Sequence, residues 1–178
     1  MKKIVVAIAV LISSTTFGQK VYSTKSGQVS FNASSPIEQI KGINNQGDSK
    51  MLDKNGQIVF TLLIKSFKFE NQLMEDHFND NYMESTKFPK ADFKGFITNI
   101  SSVDFTKDGK YPVTADGTLT LHGVSKKIQP TGVITISNGK VALNSSFKIA
   151  LKDYNVTGSY IGSKIASEVA INIQCKYE

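Results

Sequence analysis

At 178 residues and 19.5 kDa the chain has the length of one domain. Its 40% hydrophobic and 20% charged residues exclude a disordered chain and one buried throughout in a membrane. All 21 basic residues are lysine, for a formal charge of +6, and the lack of arginine's bidentate fork argues against nucleic-acid reading. One cysteine, Cys175, and two histidines, His77 and His122, exclude an intramolecular disulfide, a multi-cysteine zinc site and a three-histidine centre within one chain.

The N-terminus comes first. Lys2 and Lys3 precede an apolar run from Ile4 to Ile12 that is too short to span a bilayer. Small and polar residues then lead to Gly18. This predicts a secretory signal peptide over 1–18, cut after Gly18, with one domain over 19–178 and no transmembrane segment after cleavage. The protein is expected in the periplasm or beyond it. The mature chain would carry 19 lysines against 15 acids, a net +4, with the two signs interspersed as on a solvated surface.

Period-two alternation follows. From Gln57 to Phe69, Ile58, Phe60, Leu62 and Ile64 share one face, and the phase changes near Lys65–Ser66, which predicts a bulge or bend. Asn71 to Ser85 departs from it: Leu73, Met74, Phe78, Tyr82 and Met83 have helical spacing, with Asn71 as N-cap and Pro89 beyond the end. Alternation resumes at Leu119 and Leu121, at Val141 to Ile149 with Phe147 inward, and at Ile165 to Cys175, which includes Val169 and Ile171. Asn55-Gly56 and Asn138-Gly139 are hairpin signals. The whole predicts an all-β, antiparallel domain of about eight strands with one inserted α-helix. Such a sheet buries its apolar face by closing or stacking. Periodicity alone leaves open whether the interior is a packed core or an apolar cavity.

Two stretches carry more information. One runs from Leu73-Met74-Glu75-Asp76-His77-Phe78 through Tyr82-Met83-Glu84-Ser85 to Lys87-Phe88-Pro89 and Asp92-Phe93. The other is Gly117-Thr118-Leu119-Thr120-Leu121-His122-Gly123-Val124. In this order, after a signal peptide and a long strand, they resemble the YceI-like family of exported bacterial lipocalin-like proteins, over essentially the whole mature chain. The resemblance implies a closed lipocalin-like barrel around a long apolar pocket. It also implies a polyisoprenoid, isoprenoid-quinone or other lipid ligand, and no catalytic residues. Two positions depart from the family's pattern: Phe31 is followed by Asn32-Ala33 where relatives often have histidine, and Lys152 precedes Asp153-Tyr154 where many have arginine.

The expected function is therefore a carrier that is not an enzyme and uses no cofactor or metal. Its ligand would lie against Phe60, Leu62, Ile64, Leu119, Leu121, Phe147, Ile149, Val169 and Ile171, chosen from alternation. Leu73, Met74, Phe78 and Tyr82 would plug one end of the barrel or form a movable lid. Two other readings stay open: a ligand-free interaction module with a packed barrel, and a lipid-modifying or metal-dependent enzyme using His77 and His122. A homodimer is compatible with either. No His-Glu-x-x-His, Gly-x-Ser-x-Gly or phosphate-loop pattern occurs.

Overall fold

The computed structural model describes residues 18–178, so the predicted signal peptide lies outside the described residues except for Gly18. Nine strands form one antiparallel sheet: β1 (Val21–Ser34), β2 (Lys41–Leu52), β3 (Gln57–Leu63), β4 (Lys90–Ile97), β5 (Gly109–Leu121), β6 (Val124–Ile128), β7 (Thr131–Ser137), β8 (Lys140–Ala150) and β9 (Ile165–Tyr177). The order β4-β3-β2-β1-β9-β8-β7-β5, with β4 also paired to β5, closes an eight-stranded barrel. The ninth strand, β6, continues the β7 side of β5 in one register, with Ile128 opposite Gly117 and Thr131 opposite Thr114.

Turn chemistry sets the hairpins. Asn138 and Gly139 both have positive φ, 51° and 73°, the combination a two-residue turn of the I′ kind requires. His122 and Gly123, at 50° and 74°, build a second such turn between Leu121 and Val124. Histidine tolerates this region better than most side chains. The phase change near Lys65 is a short 3-10 turn, Ile64–Ser66, that ends β3.

The helix is shorter than its spacing predicts. α1 covers Gln72–His77, with the Leu73 amide donating to Asn71 Oδ1 at 2.8 Å, and the chain then widens into a π-helical turn over Phe78–Tyr82. The wider turn carries Phe78 and Tyr82 toward the barrel interior, where both line the cavity described below.

Strand β2 has almost no apolar alternation, yet its inner face is buried: Gly42, Asn44, Gly47, Ser49 and Met51. The glycines make room for rings. A Cβ at Gly42 would come within 2.5 Å of the Phe31 ring, and one at Gly47 would collide with Phe60. The polar groups are satisfied, since Asn44 Nδ2 donates to the Leu63 carbonyl and Ser49 Oγ to that of Val59.

One half of the barrel is filled. Tyr22 stacks on Phe105 with centroids 5.1 Å apart, and Met51, Ile134, Ile136, Val141, Cys175 and Tyr177 are buried beside them. The half toward α1 is hollow.

Candidate functional site

Alternation brings the inward side chains of adjacent strands into rows, because directly paired residues point to the same side of a sheet. Phe60 on β3 pairs with Phe93 on β4, which pairs with Leu119 on β5. Phe31 on β1 pairs with Ile171 on β9, which pairs with Phe147 on β8, while Ile149 pairs with Val169. These rows surround a cavity of about 530 Å³, within the range of about 300–1,000 Å³ of small-molecule sites. The interior is therefore both things that periodicity left open: a packed core at one end and an apolar space at the other.

All nine residues picked from alternation, Phe60, Leu62, Ile64, Leu119, Leu121, Phe147, Ile149, Val169 and Ile171, line this space. So do Leu73, Met74, Phe78 and Tyr82 from the helical segment. Sequence reading missed several others, among them Phe31, Phe67, Phe69 and Phe93. Phe67 and Phe69 were visible as an apolar pair after the phase change. Phe31 lies in a strand whose alternation is diluted by Ser, Gly and Asn.

Three of these rings hold the helical segment in place through Phe78. Phe78 stacks on Phe31 at 5.5 Å and meets Phe67 and Phe69 at 5.5 and 5.0 Å. Such ring pairs add energy beyond the area they bury. Leu73, by contrast, is 59% exposed. The segment thus packs its rings into the barrel at its middle and exposes Leu73 at its start.

Few polar groups reach the cavity. Glu38, Asn71, His77, Tyr82, Tyr160 and Lys164 lie toward the helix end. Burial raises the Tyr82 hydroxyl above its usual range, aided by the nearby Tyr160 and Glu38. Lys164 Nζ sits over the Tyr160 ring, 5.1 Å from its centroid.

The two histidines have different surroundings. His77 is exposed at the cavity rim. His122 is buried, its Nδ1 donating to the Tyr154 carbonyl and its Nε2 lying 3.0 Å from Glu84 Oε2. Its ring also packs edge-on to Phe88 at 4.5 Å. His122 thereby ties the β5–β6 turn to the chain after α1 and to the turn after β8. Among the described residues, no three His, Cys, Asp or Glu side chains gather as a metal would need.

Cys175 is buried. Burial pushes its thiol up from 9.0 to about 11, opposed by hydrogen bonds to Tyr177 and Ser49, so it remains an unreactive thiol at neutral pH. Among the described residues, no helix is long and apolar enough to cross a membrane.

The model of the YceI-like domain matches residues 15–177. Solved structures share the fold at low identity. A polyisoprenoid-binding domain from Saccharophagus degradans, implicated in plant cell wall breakdown, superposes with a TM-score of 0.77 at 12% identity, over 90% of this chain and 99% of that one. BcnA of Burkholderia cenocepacia gives 0.68 at 16% identity, over 83% and 94%. The YceI protein of Campylobacter jejuni gives 0.61 at 22%, over 81% and 88%. No curated protein matches the chain in sequence.

Proposed function

The chain belongs to the YceI-like family, and on that premise we propose that it is an exported carrier of a long-chain apolar or amphiphilic molecule, a polyisoprenoid, isoprenoid quinone or other lipid. The observation that carries this reading is the 530 Å³ apolar cavity in a barrel of this size. The name of the Saccharophagus degradans domain, which binds polyisoprenoids, supports it. Phe60, Leu62, Ile64, Leu119, Leu121, Phe147, Ile149, Val169 and Ile171 are the proposed contacts for the chain. Leu73, Met74, Phe78 and Tyr82 close the helix end over it.

The mechanism is desolvation. Each methylene taken out of water contributes about 0.8 kcal/mol, so ten carbons supply about 8 kcal/mol before the costs of association and ordering. A longer chain is needed for firm binding. Selectivity then follows chain length and width, because few polar groups face the cavity. The competing reading, a packed module without ligand, is disfavoured by the hollow half of the barrel. For an enzymatic reading, no metal-binding group of His, Cys, Asp or Glu gathers among the described residues, and His122 is engaged in hydrogen bonds that bind the fold together.

Native mass spectrometry of the purified mature protein tests the proposal. The expected result is an adduct with the mass of a lipid, displaced by an added long-chain competitor. A protein that carries no adduct and takes up no long-chain ligand would refute the carrier reading.

A further inference from the structure

The barrel wall is not continuous. The ladder between β7 and β8 ends at Gly132–Ser145. Beyond it β8 runs on to Ala150 with β9 alone as partner, and β6 is paired with β5 alone. Pro130 sits where the strands part, its carbonyl accepting from the Ala115 amide at 2.9 Å. Proline has no N–H to return, so its pairing with Ala115 is made in one direction only. A 3-10 turn, Leu151–Tyr154, packs beside β6 and the end of β8 in place of a strand.

Both margins of this seam belong to the cavity. Ile128, Pro130 and Thr131 line it from one side, and Ser145, Phe147 and Leu151 from the other. Lys126 occupies a particular position on the first margin. It pairs with Leu119, and its neighbours in the alternation, Ile128 and Val124, pair with Gly117 and Leu121. Leu119, Leu121 and Ile128 all face the cavity, so Lys126 stands on the inner side of the sheet. An inner-facing side chain would be buried under a closed wall, yet Lys126 is exposed. It joins none of the ion pairs among the described residues.

We propose that the seam between β6 and β8 is a side portal of the cavity, and that Lys126 on its margin binds the anionic head group of a single-chain amphiphile whose tail lies inside. The proposal rests on the carrier reading and specifies its ligand: a carboxylate or a phosphate monoester at the end of a long chain. A lysine suits this place because its aliphatic stem can follow the apolar margin while the ammonium stays in water. A charge-assisted hydrogen bond to the head group then fixes which end of the ligand faces out.

The test measures binding of hexadecanoate, hexadecyl phosphate and uncharged hexadecanol to the wild type, Lys126→Met, Lys126→Glu and Lys148→Glu. Lys148 alternates with the inward Phe147 and Ile149 and so lies on the outer face of β8, which makes it a control for bulk charge. At least one anionic ligand should bind the wild type about fivefold or more tighter than hexadecanol, and Lys126→Glu should weaken that ligand by about tenfold while hexadecanol stays within about twofold. Lys126→Met should fall between, and Lys148→Glu should resemble the wild type. Equal losses for charged and uncharged ligands, no loss in Lys126→Glu, or an equal loss in Lys148→Glu would each overturn the head-group site. A wild type that binds hexadecanol as tightly as both anions overturns this site and leaves the carrier reading standing. One that binds none of the three overturns both.

Discussion

Cys175 and Tyr177 are buried at the filled end of the barrel, and both hold their protons more tightly than in an unfolded chain. The thiol moves from 9.0 to about 11. A group whose folded value is raised contributes its full stability below the unfolded value and loses it as pH climbs through the folded one. The melting temperature should therefore fall between about pH 9 and pH 11, with the thiol's share at most about 3 kcal/mol. Cys175→Ala should show a shallower fall over the same interval, and a flat profile in the wild type would contradict the burial. At the hollow end, Leu62 lines the cavity between Phe60 and Ile64 in the alternation of one strand. Leu62→Trp should weaken a long-chain fluorescent lipid by at least about tenfold, or about 1.4 kcal/mol, with the fold retained because the space accepts the ring. A stability loss of about 1–3 kcal/mol from overpacking, with lipid binding unchanged, would mean that the ligand lies elsewhere.

Among the elements, α1 and the π-helical turn behave as one segment with an uneven grip. Phe78 sits among Phe31, Phe67 and Phe69, whereas Leu73 is largely in solvent. Phe78→Ala should cost about 2–3 kcal/mol, below the figure for a fully buried ring because Phe78 is half-buried. Leu73→Ala should stay within about 0.5 kcal/mol. Chemical denaturation of the two variants side by side measures both, and equal costs would show that the anchoring by Phe78 is illusory. The same comparison bears on how the helix end opens. If the segment swings as a lid, hydrogen exchange should be faster at Leu73 and Met74 than at Phe78. Strand β2 makes the complementary point: it holds its place through neighbours' rings over Gly42 and Gly47 and through the amide of Asn44, with little apolar surface of its own.

The whole molecule divides along the barrel axis into a filled half that stabilises and a hollow half available to a ligand. Cavities cost stability in proportion to the contacts their walls lose, so the filled half and the eight-stranded closure carry the fold, and occupancy of the cavity should add to it. A long-chain ligand that binds should raise the melting temperature, and a delipidated sample should melt lower than the protein as purified. The proposed export is likewise tested on the whole chain. The Lys2–Lys3 and Ile4–Ile12 pattern motivates cleavage after Gly18. N-terminal mapping of the exported protein should find Gln19 or its cyclised form first, and an intact Met1 on that material would refute the cut.

What the sequence determined is the part that repeats: period-two faces from Ile58 to Ile64, Val141 to Ile149 and Ile165 to Cys175, the Asn138-Gly139 turn, and a helical segment capped by Asn71. Each is a local preference that agrees with the fold around it, so the all-β class, the inserted helix and nine cavity-facing side chains could be read directly. Strand β2 was illegible because its inner face is glycine and hydrogen-bonded polar residues, whose burial depends on rings supplied from β1 and β3. The second tight turn was hidden because His122-Gly123 is not an Asn-Gly or Asp-Gly signal, and His122 is held there by Tyr154 and Glu84 from distant parts of the chain. Whether the interior is solid or hollow depends on how many inward side chains meet at each level of a closed sheet. Where the wall parts depends on the β7–β8 ladder ending at Gly132 and Ser145 while β8 stays paired with β9 as far as Ala150. Both are sums over strands far apart in sequence, and only the closed barrel brings them together.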